Sequence, residues 1–382
     1  MNLKRQLLAA IRTPAILLLA LMGLTACSQP DTSDATSPPF DPQATAQVLS
    51  DRREYQQAAQ LWQQALEADP GSAHAHYQLG LIQSLTNPEE AADHLQQAIA
   101  LDPGLEPSAR KVLDALRQAK VVDDRVYQLT ITGQAFASLE EWDLAQAALE
   151  TAVGLDPEYA EAWAYLGEIR QQTGSGNSRE ALERAISLDH DSYAANLFFS
   201  IYWNRNQQPK RALPYLQTAL TLDPNNLALK EELAQTLVQA GLVETGFELL
   251  EELTVQDPDR LEAWMMLARL SIENAIQAEE TGLPAARQAV LLAPDNAEAT
   301  LLLGRAYLLS ENAILAERFF FKCIALDSQL AAPHLYLAII YLNQENRNPA
   351  KPHLEAALSL AEESGEQAVA EQASQFLQRY FP

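Results

Sequence analysis

The chain has 382 residues, of which 48% are hydrophobic and 20% charged, so it is neither a disordered polar tail nor a bundle of membrane spans. Acidic residues outnumber basic ones by 51 to 26, giving a formal net charge of −25. Because a nucleic-acid reader needs clustered Lys and Arg to neutralise phosphates, this balance argues against nucleic acid as a partner.

Residues 1–26 have the pattern of an export signal. Lys4, Arg5 and Arg12 precede an uncharged apolar run that closes at Met22. The run is about a dozen residues long, below the ~17 needed to cross the hydrocarbon core of a bilayer. The segment therefore predicts a signal peptide and not a permanent span.

The signal closes on Leu24-Thr25-Ala26-Cys27, which resembles the lipobox of bacterial lipoproteins. The resemblance implies a diacylglycerol on the Cys27 thiol, cleavage before that residue, and a membrane anchor made of two or three acyl chains. The alternative is an ordinary secretory signal with Cys27 incidental. On the first interpretation, lipid holds the exported protein at the outer face of the cytoplasmic membrane or at the outer membrane. In a cell with two membranes, Ser28 favours the outer one.

Residues 27–42 are predicted to be a tether. After Cys27 the segment contains four Pro and five Ser or Thr without apolar periodicity. Such a composition favours extended polyproline II conformation at ~3.1 Å per residue. The tether would hold the folded part several tens of ångströms from the membrane surface.

From residue 43 onwards, one pattern recurs with a period of about 34 residues. Asp-Pro pairs fall at residues 69–70, 102–103, 156–157, 223–224 and 257–258, each after a stretch rich in Ala and Leu. Each period holds two segments of helical spacing, and the proline stops the second one. This is the signature of stacked helical hairpins.

The residues resemble the tetratricopeptide repeat (TPR). Trp163, Leu166 and Gly167 match the signature of its first helix, helix A. Matches to the second helix, helix B, are Ala145, Leu149, Ala152 and Pro157, with parallel sets at Ala91, Leu95, Ala98 and at Ala316, Phe320, Cys323. The resemblance implies an all-α fold, an α-solenoid (right-handed superhelix) of about nine helix-turn-helix units. Small residues at the helix crossing would let the backbones approach.

Two segments depart from the repeat. Units 1–2 are assigned to residues 43–103 and units 3–9 to residues 126–362, with an inserted amphipathic helix at 104–125 between them. Residues 363–382 are predicted to be a C-terminal capping helix that covers the last apolar face. The inserted helix carries a basic cluster, which we expect to be a solvated face, with an anion site as the alternative: Arg110, Lys111, Arg117 and Lys120.

No motif for catalysis or for cofactor binding is present. Thr173-Gly174-Ser175-Gly176-Asn177 is the nearest approach to a phosphate loop, but it lacks the Lys and falls where a turn is expected. The six histidines are scattered, and His74 and His76 would point to different helix faces, so no metal site is predicted. Cys323 is expected to be a buried thiol. We therefore predict no enzymatic activity, no cofactor and no metal.

The resemblance further implies that repeat positions 2, 5, 9 and 12 of helix A line a concave groove. In the C-terminal half these positions, with Arg205 beside them, are Leu197, Ile201, Met265, Leu301, Leu308, Leu335, Ile339, Leu342, Arg269 and Arg305. One interpretation is that the apolar side chains only fill contacts between adjacent helices. The other is an apolar channel flanked by guanidinium groups, which would bind a peptide with hydrophobic anchors and an acid group. The N-terminal half is polar and aromatic instead, with His74, Tyr77, Tyr127, Thr130, Gln134, Glu161 and Glu168.

The sequence as a whole predicts a membrane-anchored scaffold that binds protein or peptide partners in its groove. One alternative is an envelope assembly factor, similar to TPR lipoproteins that escort secretin or outer-membrane components. The other is a non-catalytic regulatory subunit of an envelope enzyme.

Overall fold

The architecture was read from a computed structural model, which describes residues 41–274 and 276–382. Within these residues every regular element is a helix. The signal peptide, Cys27 and nearly all of the tether lie outside the described residues. The prediction of an all-α fold is confirmed.

Twenty α-helices follow one another along the described residues. The first ten are α1 (Pro42–Asp51), α2 (Tyr55–Ala68), α3 (Ala73–Gln83), α4 (Pro88–Leu101), α5 (Glu106–Val122), α6 (Arg125–Ala137), α7 (Trp142–Leu155), α8 (Ala160–Thr173), α9 (Ser178–Leu188) and α10 (Tyr193–Arg205). The second ten are α11 (Pro209–Leu222), α12 (Leu227–Gln239), α13 (Val243–Gln256), α14 (Leu261–Asn274), α15 (Leu283–Leu292), α16 (Ala297–Leu309), α17 (Ala313–Leu326), α18 (Ala331–Asn343), α19 (Arg347–Ser364) and α20 (Gln367–Tyr380). A 3-10 turn, Pro103–Leu105, precedes α5, and a π-helical turn, Ala278–Gly282, precedes α15.

Eighteen of these helices pair into nine hairpins, each made of a helix A and a helix B. The units are, in order, α1/α2, α3/α4, α6/α7, α8/α9, α10/α11, α12/α13, α14/α15, α16/α17 and α18/α19. Helix B of each unit packs on helix A of the next, except where α5 intervenes between α4 and α6. The prediction of a solenoid with about nine units is confirmed.

The two remaining helices stand where the sequence departs from the repeat. Helix α5 buries Val112, Leu113 and Leu116 on one side and exposes its four basic residues. Helix α20 packs on α19, and its Val369, Phe376 and Leu377 lie against the last core cluster. This agrees with the predicted capping of the array.

The recurring Asp ends helix B and shapes the turn to the next unit. Asp102, Asp156 and Asp189 are C-cap residues in extended conformation, so the helix cannot continue through them. Their side chains accept backbone N–H groups two residues later, at 2.9, 2.8 and 3.0 Å. An Asp that both stops a helix and closes a local turn explains the strict recurrence of this residue.

Glycine in helix A permits the close crossing of the two helices. A Cβ atom on Gly167 would lie 2.6 Å from the Leu182 side chain, and one on Gly304 would lie 2.6 Å from Phe320. Leu182 and Phe320 are fully buried. A small residue on one helix therefore receives a large one from the other, as the sequence predicts.

The core of each hairpin contains the predicted helix B residues. Ala145, Leu149, Phe320 and Cys323 are all fully buried. The prediction of a buried thiol at Cys323 is confirmed, and burial raises the pKa of this thiol to about 11. No helix in the described part of the chain combines the length and apolarity needed to cross a bilayer.

Candidate protein-binding groove

Two adjoining pockets form a groove along helices α5, α6, α8 and α10. One, of about 420 Å³, lies between α5 and α6 and reaches Glu161 on α8. The other, of about 680 Å³, is bordered by the starts of α8 and α10 and also includes Glu161. We refer to the two pockets together as the tyrosine–carboxylate groove.

Four tyrosines lie along this groove: Tyr127, Tyr159, Tyr165 and Tyr193. The hydroxyl of Tyr127 accepts a hydrogen bond from Gln118 Nε2 at 2.7 Å. The Tyr165 ring meets Phe198 edge to face, with the ring centroids 5.0 Å apart. Rings held in this way lose little conformational entropy when a ligand packs on them, which makes tyrosine an effective contact residue.

Carboxylates supply the charge of the larger pocket. Asp156, Glu158, Glu161 and Asp189 line it. Among the described residues that border this pocket there is no Lys, Arg or His. Glu161 is at the centre, where its two oxygens accept from Gln134 Nε2 at 3.3 Å and from the Tyr159 hydroxyl at 3.4 Å. Both donors are neutral and neither compensates the Glu161 charge, so the larger pocket is suited to a cation.

The negative charge and the burial act on the neighbouring phenols. Burial, and after it Glu161, raises the pKa of Tyr159 to about 12. Burial, followed by Glu161 and Tyr193, also raises the pKa of Tyr165. Both phenols therefore stay neutral at physiological pH and present a hydroxyl donor beside the carboxylates.

The arginines predicted for the C-terminal groove are engaged in ion pairs between adjacent units. Arg269 on α14 pairs with Glu298 on α16, and Arg305 on α16 pairs with Glu273 on α14 at 3.4 Å, so the two pairs are reciprocal. Arg205 on α10 pairs in the same way with Glu168 on α8 at 3.5 Å. A carboxylate from the neighbouring unit thus already occupies the place of the expected acidic partner.

The apolar residues predicted for the same groove divide into two groups. Met265 and Leu335 are 9% and 3% exposed and belong to the core, so the structure contradicts their assignment to an open channel. The others are half-buried: Leu197, Ile201, Leu301, Leu308, Ile339 and Leu342. All of them except Ile201 pack against one of the core clusters. These contacts favour the structural interpretation, in which helix A residues fill the space between units.

The residues predicted to line the N-terminal half lie in different surroundings. Tyr127, Gln134 and Glu161 lie in the groove. In contrast, Tyr77 and Thr130 are buried, which excludes them from a binding surface. His74 is exposed and its ring meets Trp62 edge on, with centroids 5.3 Å apart, while Glu168 is held by Arg205.

Each member of the basic cluster on α5 has an acceptor. Arg110 pairs with Glu106, Arg117 with Asp114 at 2.9 Å, and Lys120 with Glu89 at 3.2 Å. Lys111 donates to the backbone carbonyl of Ser138 at 3.0 Å. Arg117 and Lys120 border a cleft of about 820 Å³ between α4, α5 and α6, whose carboxylates balance them. The arrangement favours a solvated helix face over an anion site.

Sequence reasoning missed Tyr159, Tyr165 and Tyr193 because they fall outside positions 2, 5, 9 and 12 of helix A. A usable signal was present: Tyr159 follows the turn residue Asp156 by three positions and Tyr193 follows Asp189 by four, so both lie at the entry to a helix A. The turn places both rings at the edge of the groove. Over the described ranges, no group of three or more His, Cys, Asp or Glu is placed to hold a metal ion.

Comparison with family models identifies repeats in three parts of the chain. A model described as tetratricopeptide repeat matches residues 205–270, and a second model of that description matches residues 44–106 and 132–175. All three matched segments lie within the array of hairpins. The comparison with curated proteins returned no match.

Solved structures with similar helical arrays were also found. A fragment of MamA from Desulfovibrio magneticus is 20% identical over 45% of this chain and 96% of its own, with a TM-score of 0.42. YrrB, a TPR protein with an unusual peptide-binding site, is 18% identical over 49% of this chain and 95% of its own, with a TM-score of 0.44. The human IFIT1 dimer is 17% identical over 81% of this chain and 83% of its own, with a TM-score of 0.43.

Proposed function

For a chain built of tetratricopeptide repeats, we propose the function of a non-catalytic scaffold that binds protein segments in the tyrosine–carboxylate groove. TPR proteins generally mediate protein–protein interactions. The observation that carries the proposal is the larger pocket, where four carboxylates and three tyrosines converge without a basic residue among its lining. An extended segment that carries Lys or Arg fits this chemistry.

Two kinds of contact would hold such a segment. The carboxylates of Glu158 and Glu161 would receive ammonium or guanidinium groups, with Glu161 as the anchor because it borders both pockets. The rings of Tyr159 and Tyr193 would pack on the aliphatic parts of the same side chains and attract their cationic ends. Charge complementarity would also speed the encounter with the partner.

A peptide titration tests this proposal. A fluorescent peptide of alternating Lys and Ala should bind the purified chain, whereas a Glu and Ala peptide of equal length should not. Glu161→Lys should weaken binding at least tenfold, because an attractive contact becomes repulsive. The matched control is Glu180→Lys, an exposed residue on α9 outside the groove. Equal loss in both variants would show that only net charge matters and would refute the groove.

We further propose that lipid on Cys27 anchors the scaffold outside the cytoplasmic membrane. The support is the sequence Leu24-Thr25-Ala26-Cys27 behind an apolar run of signal length. Cys27→Ser should release the protein from membranes or leave it unprocessed, which fractionation and acyl labelling would detect. Unchanged membrane association without acyl labelling would contradict the anchor. The assembly-factor and regulatory-subunit alternatives use the same groove and are separated by the identity of the partner.

A further inference from the structure

Two histidine pairs occupy equivalent positions in units two and nine. His76 is the fourth residue of α3 and His94 the seventh of α4. His334 and His353 hold the same fourth and seventh positions in α18 and α19. The Nδ1 atoms of the two rings are 2.9 Å apart in unit two and 3.0 Å apart in unit nine. Each pair thus joins helix A to helix B of a single hairpin.

The ring geometry is nearly the same in both pairs. The centroids are 5.1 Å and 5.2 Å apart, and the ring planes are inclined by 40° and 43°. In each pair the centroid separation is close to the sum of the Nδ1–Nδ1 distance and the two ring radii, so the two nitrogens face each other head on. That is the geometry of an N–H···N hydrogen bond, which needs one proton between the two nitrogens.

The backbone fixes which nitrogen donates in unit two. The Nε2 atom of His76 lies 3.3 Å from the carbonyl oxygen of Pro70, which can only accept. In a neutral ring the Nδ1 atom of His76 is then the acceptor, and His94 donates through Nδ1. Trp163 and Trp264 occupy the fourth position of their own helices and make the same contact, with Pro157 and Pro258 at 3.0 and 2.8 Å. His76 therefore combines a structural role of the repeat with a titratable contact.

The number of protons on each pair decides whether its hydrogen bond can form. One extra proton can be held on a pair, because a cationic ring still donates through Nδ1 to its neutral partner. A second extra proton leaves two N–H groups and two positive charges facing each other at about 3 Å. The hydrogen bond is then lost and repulsion opposes the closed hairpin.

The surroundings favour the neutral form. Burial and His76 lower the pKa of His94, and this outweighs Glu90 and Asp93 on the same helix, which act in the opposite direction. The adjacent helix α2 contacts α3 through Trp62, whose ring meets His74. The histidine pair is half-buried at the side of the hairpin.

Unit nine behaves in the same way. Burial lowers the pKa of His334, with a further contribution from His353. Burial also lowers the pKa of His353 against the effect of Glu317 on α17. That carboxylate accepts a hydrogen bond from the Tyr341 hydroxyl at 2.6 Å, and the Tyr341 ring stacks on His353.

We propose that the two histidine pairs are acid-sensitive locks, which hold units two and nine closed while neutral and let these two hairpins open first in mildly acidic solution. Histidines with a lowered folded-state pKa contribute stability that is complete above the unfolded value near 6.5. Below it the open state binds more protons, so this stability falls with the pH. Each such histidine changes the opening equilibrium by up to about tenfold per pH unit.

Hydrogen–deuterium exchange of the full chain at pH 7.5 and pH 5.0 tests the locks. After correction for intrinsic exchange rates, opening of α3/α4 and α18/α19 should rise at least tenfold more at pH 5.0 than opening of α8 to α11, which hold no such pair. His94→Gln keeps a side-chain donor but cannot titrate, so it should abolish the excess opening in unit two alone. His353→Gln should do the same in unit nine.

The matched controls are His74→Gln and His190→Gln, since both rings are exposed and outside the pairs. Both should leave the excess opening unchanged. The proposal is overturned if lowering the pH from 7.5 to 5.0 raises the opening of units two and nine no more than the opening of α8 to α11. It is also overturned if the paired-residue variants keep the wild-type pH dependence. The first comparison uses only the wild-type chain and stands even if a variant fails to fold.

Discussion

Two regions of the array differ in whether a neighbouring unit neutralises the charged residues of helix A. In the C-terminal half, Arg269 and Arg305 are neutralised by glutamates of the neighbouring unit, and residues such as Met265 are buried. In the N-terminal half, Glu161 is contacted by neutral donors, and tyrosines border an open groove. A residue at a predicted binding position is thus available to a partner only when the next unit does not use it.

The first test of this contrast removes the end of the C-terminal half. Deletion of residues 363–382 takes away α20 and exposes the apolar surface around Leu354 and Ala357. Because each unit contacts mainly its neighbours, α18 and α19 should lose exchange protection while α6 to α9 keep theirs. Loss of helicity along the whole chain in circular dichroism would contradict this local coupling.

A smaller effect is expected from a single core residue. Phe320→Ala removes a fully buried ring that fills the crossing at Gly304, and should cost ~3–5 kcal/mol of local stability. The control is Phe321→Ala, the adjacent residue of the same type, which is 45% exposed and should cost far less. Hydrogen–deuterium exchange measured at increasing denaturant concentration would show the loss of local stability in α16 and α17. Equal costs for both variants would argue against the assigned packing.

The smallest effect on stability is expected at the paired arginines. Arg269→Glu with Arg305→Glu replaces two attractive pairs by repulsive ones between α14 and α16, with partly exposed side chains. Such pairs contribute ~0.2–1 kcal/mol each, so the melting temperature should fall by a few degrees. Capture of crosslinked partners should remain unchanged. Lost partners with an unchanged melt would assign the binding surface to the C-terminal half instead.

The sequence predicts the fold well because its determinants are local. Asp156 ends a helix and closes a turn within three residues, and Gly167 admits Leu182 within a single hairpin. The extra helix Glu106–Val122 falls where the Asp-Pro spacing is interrupted. Each of these features can be read from a short window of residues.

The candidate site was less predictable because it depends on contacts between units. Arg305 fits a ligand clamp by its repeat position, but Glu273, on the preceding helix A, neutralises it. Likewise, Leu335 occupies a groove position and is buried by its neighbours. Repeat position alone does not report which side chains an adjacent helix covers, and a carboxylate 32 residues away is not apparent from a single repeat.

Binding of partners in the tyrosine–carboxylate groove, and not along the C-terminal helices, is what distinguishes the two regions functionally. It can be tested by placing a photo-crosslinking amino acid in cells either at Ala194, which lines the groove, or at Leu308 on α16. We predict a specific protein crosslink from Ala194 that disappears with Glu161→Lys and persists with Glu180→Lys, and no crosslink from Leu308. A partner captured only from Leu308, or one captured from Ala194 regardless of Glu161→Lys, would contradict binding in this groove.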